Sequence, residues 1–97
     1  MATSSNFTTF VKAVSSAGTA EVLVSVRTEV RSATIQADGS NTGSVTLRDA
    51  VAGADGIALK PLEVFTISAE TYDTFDLRSL WIKVATNGDK VNVTYEV

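Results

Sequence analysis

The sequence predicts an all-β fold: one antiparallel β-sandwich or flattened barrel of about seven strands, with Greek-key or jelly-roll-like connections. Three observations predict it. Apolar and polar residues alternate in many short runs, the period of a strand with one buried face. Turn-forming residues punctuate those runs at regular spacing. No stretch of useful length carries apolar residues at helical spacing. The 97 residues are read as a single β domain, 1–97, with no internal repeat and no dividing linker.

Taken in order, Met1 to Asn6 is an uncharged, Ser/Thr-rich lead-in of the kind expected to be mobile. Phe7 to Val14 brings Phe7, Phe10, Val11 and Val14. Two readings are open: a first strand of the core, or, over residues 1–10, an extended arm that adds to a partner's sheet edge. Gly18 marks a turn, and Val22, Val24 and Val26 then alternate with Glu21, Ser25 and Arg27. Leu23 falls on the polar side of that strand, out of pattern. Ala33, Ile35 and Ala37 alternate with Ser32, Thr34 and Gln36, and alternation resumes at Val45 and Leu47 after the turn formers Asp38 to Gly43. An antiparallel hairpin is the economical reading of that pair. Ala50 to Pro61 is too long for a tight turn and predicts a crossing between sheets.

Leu62 to Ser68 shows a mixed pattern, suggesting partial burial on both sides, and Ala69 to Ser79 reads as a polar connection. Leu80, Ile82 and Val84 then alternate with Trp81, Lys83 and Ala85. Asn87-Gly88-Asp89 predicts a second hairpin, because Asn and Gly tolerate the positive φ of such turns. Its return strand places Val91, Val93, Tyr95 and Val97 on one face.

Composition narrows function. Eight basic against eleven acidic residues give a net charge of −3, with no basic stripe, which disfavours nucleic acid. No apolar run approaches the ~20 residues of a membrane span. The start MATSSNFTTF lacks the pattern of a secretory signal, so synthesis in a cytoplasm is expected. Histidine and cysteine are absent, which removes the commonest general base, thiol nucleophiles and thiolate metal sites. Glu70, Asp73 and Asp76 share one connection, but nothing pairs carboxyls across a cleft as a glycosidase needs. The chain is therefore not read as an enzyme, and no cofactor is expected. Asp38, Ser40, Thr42, Gly43 and Asp49 fit positions 1, 3, 5, 6 and 12 of a calcium loop. That motif requires flanking helices, whereas strands flank this one, so the hairpin is preferred and no metal is expected.

Trp81 is expected to point outward, since Leu80, Ile82 and Val84 claim the inner face. It packs under a loop or anchors a protein interface. With Phe7, Phe10, Leu23 and Val64 it forms the predicted interface set, an apolar patch if their strands are neighbours.

Over residues 30–96 the order of signals carries a recognisable pattern. It runs Val30-Arg31-Ser32, Ile35, Ala37-Asp38, Asn41-Thr42-Gly43 and Val45. It continues through Gly56-Ile57, Leu59, Pro61, Glu63 and Ile67 to Leu80-Trp81-Ile82 and Val91-Asn92-Val93-Thr94-Tyr95-Glu96. In this the chain resembles a family of small tailed-phage virion proteins. It departs at Leu62, where that family usually has glycine after the proline. The resemblance implies a structural module: a decoration or cement protein that binds the outer surface of the head, commonly as a homotrimer. Its partner is then the major capsid protein or another virion protein. A head- or tail-fibre module is the alternative. From another class, a carbohydrate-binding module would use Trp81, Tyr72 and Phe75 as a stacking platform.

Overall fold

The computed structural model describes residues 7–48, 56–69 and 74–97. Ten strands lie among them: β1 (Phe7–Ala13), β2 (Glu21–Val22), β3 (Glu29–Val30), β4 (Ser32–Ala37), β5 (Val45–Arg48), β6 (Ile57–Leu59), β7 (Val64–Ser68), β8 (Phe75–Asp76), β9 (Trp81–Val84) and β10 (Lys90–Glu96). One sheet has the order β1-β10-β4-β7, a second β2-β9-β5-β6, and β3 and β8 form a separate pair. Every pairing is antiparallel. The all-β antiparallel class is as expected, with more and shorter strands than the pattern suggested. Residues 20–27 hold only the two-residue β2, and the stretches read as connections contain β6 and β8.

Register explains which side chains meet. Phe10, Val93, Ile35 and Phe65 stand opposite one another across the four strands of the first sheet. That row faces inward, with Val93 and Ile35 fully buried. The row beside it, Thr9, Thr94, Thr34 and Thr66, therefore faces outward. The second sheet buries Val45, Leu47, Leu59, Ile82 and Val84. The two inner faces form one core, completed by Val14, Leu23, Val30 and Leu77 from the connecting segments. This is the sandwich solution, each sheet covering the apolar face of the other.

Neither predicted hairpin forms. β4 lies in the first sheet and β5 in the second; β9 lies in the second and β10 in the first. The turn chemistry is nonetheless as expected at both places: Gly88 has φ +87°, and Asp38 accepts a hydrogen bond from the Ser40 N–H at 2.9 Å. What the turn residues do not encode is whether the chain returns in the plane of the sheet or arches over the core. Both routes bury the same alternate side chains.

The two arches instead hold each other. Asn41 donates from Nδ2 to the Lys90 carbonyl at 2.8 Å and accepts the Lys90 N–H at Oδ1, also at 2.8 Å. Asp89 accepts the N–H groups of Thr42 at 3.2 Å and Gly43 at 2.9 Å. Both side chains are buried, and buried polar groups require such partners.

The segment expected to cross between sheets closes a hairpin, since β5 and β6 pair with Val45 opposite Leu59. The crossing comes directly after it, at Lys60 to Glu63. There the Glu63 N–H donates to the Lys60 carbonyl at 2.9 Å, and Leu62 has φ +75°. Pro at the second position and positive φ at the third define a type II turn.

At Glu21 to Leu23 the predicted faces are reversed, although Val24 packs against the core as expected. Glu21 stands opposite Ile82, a core residue, so Glu21 and then Leu23 point inward while Val22 does not. Leu23 is 2% exposed and its N–H donates to the Leu80 carbonyl at 2.9 Å; Val26 is 67% exposed. Three valines outweighed one leucine in the pattern. Glu21 is tolerated on the inner side because it sits at the sandwich margin, 2.9 Å from Lys12 Nζ.

Candidate functional site

Carboxylates are the natural place to look for chemistry in a chain without histidine or cysteine, and here they serve turns. Asp38 accepts from the Ser40 N–H and hydroxyl and from Asn92 Nδ2 at 2.9 Å. These bonds, the Ser40 hydroxyl foremost, hold its pKa at about 2. Asp76 caps a short helical turn, Leu77–Ser79, accepting the N–H groups of Thr28 and Arg78, each at 3.0 Å. The Thr28 N–H is the largest cause of its pKa also standing at about 2. In the calcium-loop pattern, Asp38 is thus committed to Ser40 and Asn92, and Asn41 reaches away to Lys90. Asp49 lies outside the described residues, as do Glu70 and Asp73. Among the described residues no group of three His, Cys, Asp or Glu side chains is placed to hold a metal.

Of the predicted interface residues, Phe10 and Leu23 are brought together on the lining of a cleft between β1 and residues 22–26, while Val64 and Trp81 lie elsewhere. Phe10 and Val64 belong to β1 and β7, the two opposite edges of one sheet, and Trp81 belongs to the other sheet. Leu23 is buried in the core. Phe10 is half-buried on the inner face, edge-to-face with Tyr95 at a ring separation of 6.1 Å. Phe7 begins β1 opposite Glu96. Val64 is half exposed on an outer face, and Trp81 is half-buried, its β9 neighbours Ile82 and Val84 turned inward as expected. Of the sugar-stacking residues, Phe75 packs against the core from β8 and Trp81 lies on β9, while Tyr72 lies outside the described residues.

Two surface features emerge instead. The first is the outer edge of β1, whose pairing within the described residues is to β10 alone. Val11 on this strand is 58% exposed. An unpaired strand edge is a template for another chain. At this side of the sandwich the Lys12–Glu21 ion pair bridges the two sheets.

The second is the opposite side, where β6 and β7 are the two sheet edges. A cleft of about 510 Å³ opens there, walled by Leu47, Ile57, Phe65, Ile67 and Leu80. Gly56 forms part of its floor, and Arg48 is the cation on its lining. Arg48 Nε is buried and has no hydrogen-bond partner among the described residues. Sequence reasoning missed this site. Arg48 looked like an ordinary outward residue of an alternating strand, and the mixed pattern of Leu62 to Ser68 was its only trace.

Comparison with models of known protein families, with curated proteins and with solved structures found no match to this chain. Fold and surface define an all-β antiparallel domain whose β1 edge lies beside an ion-paired margin, with an apolar cleft on the opposite side.

Proposed function

We propose that the chain is a non-enzymatic virion structural protein that decorates the outer surface of a tailed-phage head. It acts as a trimer and binds the major capsid protein. The free edge of β1 carries this reading. A seven-residue edge strand with an exposed valine offers main-chain donors and acceptors to a neighbouring subunit. The pattern over residues 30–96 supplies the virion setting, and the acidic, cysteine-free composition suits a protein that is made in a cytoplasm and then gains stability by binding an assembled lattice.

Co-sedimentation with capsids of the parent phage lacking this chain tests the proposal. Wild-type protein is expected to bind saturably, and light scattering is expected to give a trimeric mass. Removing residues 1–10 is expected to abolish binding while the domain still melts cooperatively. Val11→Lys places a charge on the exposed edge without touching the core, and is expected to abolish binding at unchanged melting temperature. Undiminished binding by both variants would overturn attachment through β1. Immunogold labelling confined to a vertex or the tail would replace the head with a fibre.

A further inference from the structure

We propose that the cleft between β6 and β7 is a binding site for an aliphatic carboxylate, a small amphiphile whose chain lies along the apolar walls and whose head group pairs with Arg48. The inference is independent of the capsid reading, which rests on the opposite side of the sandwich.

The volume of about 510 Å³ falls within the range of small-molecule sites, and the composition fits one: apolar walls with a single orienting polar group. Leu47 and Leu80 come from the second sheet and its margin, Phe65 and Ile67 from the first, so the walls belong to rigid strands on two sides. Ile57, on the β6 edge, is 43% exposed, an apolar surface that a bound chain would cover.

The head group follows from Arg48. Its Nε–H is withdrawn from solvent and meets no acceptor among the described residues, a costly state for a charged donor. With the cleft empty that donor is already closed to solvent, so a carboxylate would pair with it by drawing the guanidinium toward the cleft, where its fork matches a carboxylate in a two-bond arrangement. A neutral alkyl ligand would leave the donor unpaired. A phosphate monoester would bring a second negative charge, and among the described residues lining the cleft Arg48 is the sole cation to meet it. One positive charge in an apolar wall selects a monoanion.

Trp81, the single tryptophan, stands opposite Arg48 in the β5–β9 register and reports on the site. The full chain is titrated with decanoate below its micelle concentration, and separately with decanol, following Trp81 fluorescence and calorimetric heat. Decanoate is expected to bind saturably at one site per chain, about tenfold or more tighter than decanol. Arg48→Gln is expected to bring decanoate down to the affinity of decanol and to leave decanol unchanged. Ile57→Asp, at an exposed position that leaves the core intact, is expected to weaken both, and thermal melts establish that each variant is folded. Failure of decanoate to bind wild-type protein would overturn the proposal. So would equal decanoate affinity in Arg48→Gln, which would reduce the cleft to nonspecific apolar contact.

Discussion

Leu62 is the only non-glycine residue with positive φ among those described. A side chain there costs about 1–2 kcal/mol relative to glycine, because its Cβ crowds the neighbouring carbonyl. Leu62 recovers little by packing: it is 65% exposed, its terminal methyl lying over Gly39. Leu62→Gly is expected to stabilise the fold by about 0.5–1 kcal/mol, the relief of strain exceeding the added entropy of the unfolded chain. A higher urea midpoint at unchanged slope would register it. Asp38 and Asp76 make the second prediction at this scale. Both carboxyls stand at about 2 in the folded protein against an ordinary 3.8, so the folded state binds their protons more weakly than the unfolded chain does. Their contribution is complete above the ordinary value and is lost as pH falls through about 2. The melting temperature is expected to drop between pH 4 and pH 2, and to drop less steeply in Asp76→Asn, which cannot take up that proton.

At the scale of elements, Gly56 fixes how closely β6 can approach β5. A Cβ there would lie 2.5 Å from the Leu47 carbonyl oxygen and 2.7 Å from Thr46 Cγ2. Backbone oxygen cannot rotate away, so Gly56→Ala is expected to push the two strands apart and cost about 1–3 kcal/mol. Decanoate affinity is expected to fall with it, because Gly56 borders the cleft. Urea melts and the fluorescence titration measure the two effects separately. The same region shows what a single sequence can disclose. Ile35, Val45, Ile82 and Val93 were assigned to buried faces and are buried, because alternation is a local property. Which strand lies beside which was not disclosed. Asn41 grips Lys90, and Asp89 holds Gly43, across distances along the chain that no local pattern spans. Leu23 was lost to a phase error of one residue, since an ion pair at Glu21 lets a charged side chain occupy an inward position. The cleft was invisible for a related reason: it exists where β6 and β7 come close as edges of different sheets, and Arg48 becomes unusual only by what fails to meet it.

At the scale of the whole molecule, the chain order leaves no sequential neighbours paired within the first sheet. β10 is bonded to β1 on one side and β4 on the other, joining the earliest strand to the middle of the chain. Its fully buried Val91 and Val93 lie at the centre of the shared core. Half of the sandwich therefore lacks both its central strand and its inner wall until β10 is in place. Long-range pairing of this kind closes large loops before contacts repay the entropy, so folding is expected to be slow and all-or-none. The edges are different in kind, since an edge strand is held on one side only. Removing residues 90–97 is expected to abolish the cooperative thermal transition followed by Trp81 fluorescence, while removing residues 1–10, which spares the buried Val14, is expected to lower the midpoint and keep the transition. A cooperative melt without β10 would mean that the second sheet and the β3–β8 pair form a core of their own, and that the two sheets are not the single cooperative unit their shared interior implies.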